Sequence, residues 1–329
     1  MINASLRLPD RAQKFLGALF QKRTFFLLFL LVLSLLIGAT GVGIPDGVVL
    51  WQIRIPRTLL AALVGGGLGL SGAVLQGALR NPLADPGLLG IGGCASFGAV
   101  LVFYWGFAAH VPLALPAGAL LGAGIGCVVL LGALGRGVSA AAMILGGVAL
   151  SSIASAFIAL ALSLAPNPFA LTEITFWLMG GLEDRTLVHL GVAAPIIVAG
   201  CALLLRLGTR LDGLSLGEAT AASLGVPVGA TLRLAAVGVC LAVGGGAAVA
   251  GGIGFVGLVV PHLLRPWVGH RPGALLVPSM VWGGALLLAA DILARALPLL
   301  LPLQGEPRLG VLTALLGAPF LVAIARRAA

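Results

Sequence analysis

The sequence predicts an all-α polytopic membrane protein with ten transmembrane helices in two inverted-topology halves. Three observations carry this. Of 329 residues, 60% are hydrophobic and only 9% charged, against roughly 25% charged in a soluble domain, and the mean hydropathy is +1.16. The apolar stretches recur as about ten segments of roughly 20 residues, the length that crosses a bilayer core. A glycine-rich pattern in the first half also returns in the second at an offset of 179 residues.

Composition excludes most other classes. The 50 glycines and 19 prolines suit closely packed and broken membrane helices, and no three-residue period supports collagen. The net charge of +9 does not point to nucleic acid, because the charges fall at segment ends, as membrane topology requires. Cys94, Cys127, Cys201 and Cys240 lie far apart in apolar runs, so they read as small buried side chains.

Residues 1–23 form a basic tail, expected in the cytoplasm and not a cleavable signal. Residues 25–40 make the first crossing and 41–52 a short outer loop, partly helical. Arg54 and Arg57 mark an outer mouth. Residues 58–79 return inward, ending at Arg80 and the turn Asn81-Pro82-Leu83-Ala84-Asp85-Pro86, where proline forbids simple continuation of the helix. Crossings follow at 88–107, 112–134 (with Arg136 inside) and 138–164. The longest outer connection, 165–184, holds Glu173, Trp177, Glu183 and Asp184. After the sixth crossing, 187–207, comes an interior loop, 208–228. There Ser215 and Glu218 have capping-box spacing, and Gly225 and Pro227 stop the short helix. Crossings at 230–250, 251–268, 275–297 and 309–325 complete the chain, with Asp291 and Arg295 one helical turn apart.

The charge distribution tests this path. Of 19 Lys and Arg, only Arg54, Arg57, Arg185, Arg295 and Arg308 fall outside, which matches the positive-inside rule with both termini cytoplasmic. The internal echo aligns Gly65-Gly66-Gly67 with Gly244-Gly245-Gly246, Gly72 with Gly251, Pro82 with Pro261 and Arg54 with Arg233. Its copies run in opposite directions, the pattern of an inverted-repeat transporter. This divides the membrane domain, 24–329, into halves at about 54–164 and 230–325.

No phosphate loop, HExxH motif or supported nucleophile triad is present, so no catalytic, cofactor-binding or metal residue is assigned. Mid-membrane ionisable groups are scarce, whereas an ion-coupled pump would keep some; Asp291 is the nearest candidate. Energy is therefore expected to enter through the interior loops. Gln76 reads equally as a path-lining amide or an interhelical hydrogen bond. Met143 and Met179 read as packing, and His262 as a structural group or a loop contact.

The stretch RIPRTLLAALVGGGLGLSGAVLQGALRNPLADPGLLG at 54–90 resembles the signature of FecCD-type permeases, the membrane subunits of ATP-binding-cassette importers for iron-siderophores, haem and cobalamin. TFWLMGGL at 175–182, GGIGFVGLVVPHLLRPWVG at 251–269, ADILAR at 290–295 and LGVLTALLGAPF at 309–320 are similar too. The resemblance implies a BtuC-like type II importer fold in the bacterial inner membrane and a dimer of permeases. It also implies two cytoplasmic ATPases that bind ATP and magnesium, and a periplasmic or lipid-anchored binding protein. It makes Arg54, Arg57 and Arg295 docking residues for that protein. It places Leu211, Gly217, Glu218, Ala219, Ala222, Gly225 and Val226 in an ATPase coupling loop. Gly65, Gly72, Gln76, Asn81, Pro82 and Met143 become candidates for the translocation path or its gate. An iron(III)-siderophore is the expected cargo, with haem or cobalamin as alternatives, and an ion-coupled secondary transporter is the competing class.

Overall fold

The computed structural model describes residues 25–328 apart from 39, 40, 44, 112, 136, 137, 166, 269, 270, 303 and 304. The expected cytoplasmic tail, Arg136 and His270 lie outside the described residues. The helix α1 (Phe25–Leu36) leads into a small antiparallel pair, β1 (Ile37–Gly38) with β2 (Gly41–Val42). Then α2 (Gly47–Val49) runs through a π turn at Leu50–Arg54 into α3 (Ile55–Ala78). The outer loop expected over 41–52 is therefore partly helix, and Gly47–Ala78 is continuous over 32 residues. Pro56 lies within this continuous helix, just past the π turn, where its missing N–H leaves a carbonyl of the preceding turn without its helical partner.

A 3-10 turn at Pro86–Leu89 precedes α4 (Ile91–Tyr104), followed by α5 (Ala114–Leu134) and α6 (Ala140–Ser163). The long connection folds as α7 (Pro168–Leu178), capped by Asn167, whose side chain accepts from the Ala170 N–H at 2.9 Å. Next come α8 (Leu187–Leu205), the short α9 (Gly208–Leu214) and α10 (Glu218–Ser223), and α11 (Val228–Ala250). The chain closes with α12 (Val256–Leu264), α13 (Pro272–Leu300) and α14 (Leu309–Ala328). Prolines inside α8, α12, α13 and α14 are tolerated because packed neighbours stabilise a broken membrane helix.

Among the described residues, six helices are long and apolar enough to cross a membrane. Phe25–Leu36, Ile91–Tyr104 and Leu309–Pro319 are shorter apolar helices. The crossing expected over 251–268 is instead an irregular stretch followed by the nine-residue α12. Left-handed backbone at Gly251 and Phe255 breaks the helix on its approach.

The interior is built on α3 and α11. α3 packs against α12 and α13, while α11 packs against α4 and α5. The first helix of each half thus lies on the second and third helices of the other. Backbones come close where α3 meets α13 and α12: a methyl group on Gly65 would strike the Gly283 carbonyl of α13, and one on Gly72 would strike the Gly257 carbonyl of α12. Packing between backbones replaces the hydrophobic effect as the adhesive between helices in lipid. The 179-residue register does not survive, however. Gly65 lies mid-way along α3 but Gly244 lies in the last third of α11, and Pro82 is in a turn whereas Pro261 is inside α12. The halves correspond in how their helices pack, not in that alignment.

Candidate functional site

Charged side chains gather at the end of the bundle expected to face outward. Arg57, in the first turn of α3, donates from Nε to Asp291 Oδ1 at 2.8 Å and from Nη2 to Glu306 Oε2 at 2.6 Å. Arg295, one turn beyond Asp291 on α13, lies 2.8 Å from Asp291 Oδ2. This is an ion pair without hydrogen-bond alignment at that oxygen. Arg295 also donates to the Ser34 carbonyl at 2.8 Å and hydroxyl at 2.6 Å, and to the Ile37 carbonyl. Asp291 is 0% exposed, Arg295 2% and Arg57 8%. Two cations and two anions make the cluster neutral, which is what allows it to be buried. Arg54 donates to the carbonyls of Leu35, Leu36 and Gly43 at 2.7 to 3.0 Å.

Arg54, Arg57 and Arg295, expected to dock a binding protein, line a cavity of about 470 Å³ together with Glu183, Asp184 and Glu306. Their guanidinium groups are engaged within the chain, and two of the three are buried. Beside them stands a set that sequence reasoning left unassigned: Glu183, Asp184, Arg185 and Arg308. They border a cavity of about 410 Å³ together with Phe176 and Trp177. Arg308 pairs with Glu183 and stacks over Phe176, 4.6 Å from the ring centre. Burial holds the Glu183 carboxyl above the usual carboxylate range even though Arg308 and Arg57 pull it down. The signal was the Glu-Asp-Arg run at 183–185, set off from two glycines by Leu182.

At the opposite end, residues 208–228 fold back on the bundle. Leu211 and Leu214 of α9 are buried against the bundle. Asp212 accepts from the Gly273 N–H at 2.8 Å and pairs with Arg271 at 3.4 Å, placing a carboxylate on the amino end of α13. Glu218 does the same for α6, accepting from the Ala140 N–H at 3.2 Å. A carboxylate is favoured there by the orphan N–H groups and the helix dipole. The capping box expected between Ser215 and Glu218 is not formed. Gly217, at φ +105°, caps α10 without a side-chain bond, and the Ser215 hydroxyl donates to the Asp212 carbonyl instead.

Gly225, at φ +83°, turns the chain out of α10, and Val226 packs back against Gly213. Ala219 and Ala222 are exposed, beside Leu216 at 61% and Leu224 at 63%. These two leucines, like Asp212, were not singled out in the sequence. Exposed leucines flanking a six-residue helix were the available sign.

Most of the path candidates are buried within the single chain. Gly65, Gly72 and Met143 are buried among neighbouring helices. Gln76 is buried too, and it resolves as an interhelical tie: Nε2 donates to the carbonyls of Gly257 and Leu258 at 3.4 and 3.3 Å, and Oε1 accepts from Arg265 Nη2 at 2.6 Å. Asn81 accepts from the Leu83 N–H at 3.0 Å and shapes the turn that contains Pro82. The cavity bounded by α3, α4, α11 and residues 251–255 has a volume of about 290 Å³, at the bottom of the roughly 300–1,000 Å³ of small-molecule pockets.

The structure is a broken-helix membrane bundle with a buried neutral charge cluster at one end and an anchored apolar loop at the other. The chain belongs to the FecCD transport family, whose model matches residues 26–327. It is 37% identical to the vitamin B12 import system permease protein BtuC of Klebsiella pneumoniae over 91% of this chain and 90% of that protein. It is 38% identical to the ferric enterobactin transport system permease protein FepD of Escherichia coli K12, over 90% of this chain and 91% of the other. A solved structure described as a metal-chelate type ABC transporter in an inward-facing conformation superposes with TM-score 0.84 and 32% identity, covering 94% of this chain and 99% of that one. The chain is an integral membrane permease of an ATP-binding-cassette importer. Members of this family work with ATPase subunits and a substrate-binding protein and are not themselves enzymes.

Proposed function

We propose that this permease carries an iron(III)-siderophore across the bacterial inner membrane, with both chain termini in the cytoplasm. The supporting observation is the likeness to a ferric enterobactin permease over nine-tenths of both chains. The equally extensive likeness to vitamin B12 permeases favours a second reading, a corrinoid cargo. Both are bulky chelates that fill the coordination sphere of their metal. A carrier of either needs no metal-ligand cluster, and among the described residues no three metal-ligating side chains gather.

The interior cavity of one chain is small for such a cargo. The path is therefore assigned to the interface between two permease subunits. Two ATPases hold ATP and its magnesium and dock on Leu216, Leu224 and the exposed side of α10. Closure of the ATPases pulls on the 208–228 loop. Asp212 and Glu218 pass that motion to the amino ends of α13 and α6, biasing the bundle between two packed arrangements. A binding protein delivers the chelate to the opposite rim, around Glu183, Asp184, Arg185 and Arg308.

The test is a panel of labelled ferric siderophores, haem and cobalamin. Each is offered with its binding protein to vesicles holding the permease and its ATPase. Uptake confined to a ferric siderophore supports the first reading, and uptake confined to cobalamin replaces it with the second.

A further inference from the structure

The loop-side end of α3 closes on an arginine at a position that geometry favours for glycine. The Arg80 N–H bonds to the Gly77 carbonyl at 3.4 Å and the Asn81 N–H to the Gln76 carbonyl at 3.2 Å. These are the paired bonds of a Schellman turn, whose left-handed residue is usually glycine. Here it is Arg80, at φ +50°, a conformation that a Cβ disfavours. Among the described residues the Arg80 guanidinium has no hydrogen-bond or ion-pair partner. A side chain held against backbone preference with nothing to bind inside the chain points outward for its partner.

A second guanidinium stands beside it. Arg265 touches the Gln76 amide and pairs with no carboxylate among the described residues. Arg80 and Arg265 line one cavity of about 220 Å³ with Gln76, Ser215 and Pro272. His262, which neighbours Arg265 and bonds to the Pro82 backbone, adds no negative charge. The acids of the adjoining loop are already engaged, Asp212 at Gly273 and Arg271, and Glu218 at Ala140. The cavity thus presents two forked cations with no counter-charge, since the Ser215 hydroxyl is already given to the Asp212 carbonyl. It is several times the roughly 30 Å³ of a water molecule.

We propose that this cavity binds a phosphate-type oxyanion, either free phosphate or the headgroup phosphate of an anionic lipid. Planar guanidinium forks match the oxygens of a tetrahedral anion. The bound anion ties the end of α3, the end of α12 and the 208–228 loop together at the face where the loop meets the bundle.

The test uses the permease with its ATPase partner in a neutral detergent. Inorganic phosphate is titrated at constant ionic strength against chloride, and the thermal midpoint is read. A saturable rise is expected for the native chain and none for Arg80→Gly. That variant should start at or above the native midpoint without phosphate, since it relieves the left-handed strain, so loss of the response is not loss of folding. In nanodiscs of neutral phosphatidylcholine the phosphate response should persist. If replacing part of the lipid with phosphatidylglycerol suppresses it, and phosphatidylglycerol co-purifies with native protein but not with Arg80→Gly, the anion is a lipid headgroup. If it does neither, the anion is free phosphate. An equal phosphate response in both chains would overturn the proposal, as would no response together with equal lipid retention. Release of the ATPase by Arg80→Gly with the phosphate response intact would assign Arg80 to a protein partner instead.

Discussion

Asp291 holds apart two arginines that would otherwise face each other with almost no solvent. Asp291→Ala leaves Arg57 and Arg295 buried without their shared partner, and removing one member of a buried pair costs about 3–5 kcal/mol. Unfolding in detergent should show that loss, with a much smaller one for the less buried Arg54→Ala. Glu183 gives a pH signature. Its carboxyl is raised above the unfolded value by burial, so its contribution is full below the unfolded value of about 4.3 and is lost as pH rises through the folded value. The thermal midpoint of the native chain should therefore fall relative to Glu183→Gln as pH rises from about 4. A difference that does not change with pH would contradict this. The sequence showed that Arg54, Arg57 and Arg295 belong at one end, because they close apolar segments. It could not show that two would be buried, because Arg57 meets Glu306 at a sequence separation of 249.

The α3–α13 crossing makes the sharpest prediction at the scale of elements. Gly65→Leu sets a side chain against the Gly283 carbonyl, where backbone cannot yield. The variant should fail to accumulate in the membrane as a detergent-stable species, whereas Gly124→Leu on α5, in open space, should accumulate normally. The 208–228 loop separates docking from folding. Leu216→Asp with Leu224→Asp should abolish co-purification of the ATPase while leaving the permease midpoint within about 1 kcal/mol of native, since both side chains are exposed. Co-purification at native levels would place the ATPase elsewhere.

Most long helices were legible from apolar length alone. The half-length α12 was not, because an apolar, glycine-rich stretch has the same hydropathy whether helical or extended. The break rests on left-handed Phe255, a residue type that does not advertise such a turn. The capping box failed for a similar reason: Glu218 had a better donor in the amino end of α6, 78 residues away.

In the whole molecule, two buried helices each lean on the opposite half. A push at either end of the bundle therefore reaches both halves through close backbone contacts. The anchored loop gives such a push an entry at the amino ends of α6 and α13. Family membership fixes the class of machine, while the cargo rests on relatives that carry two different chelates. The central claim is that transport is powered by a partner ATPase and not by an ion gradient. The most direct measurement is cargo uptake into proteoliposomes holding the permease with an intact or a hydrolysis-dead ATPase. ATP is trapped on the side of the 208–228 loop, and the binding protein is outside. Uptake only with the intact ATPase, indifferent to imposed proton or sodium gradients, is the predicted result. Uptake that persists with the dead ATPase and follows either gradient would contradict the account.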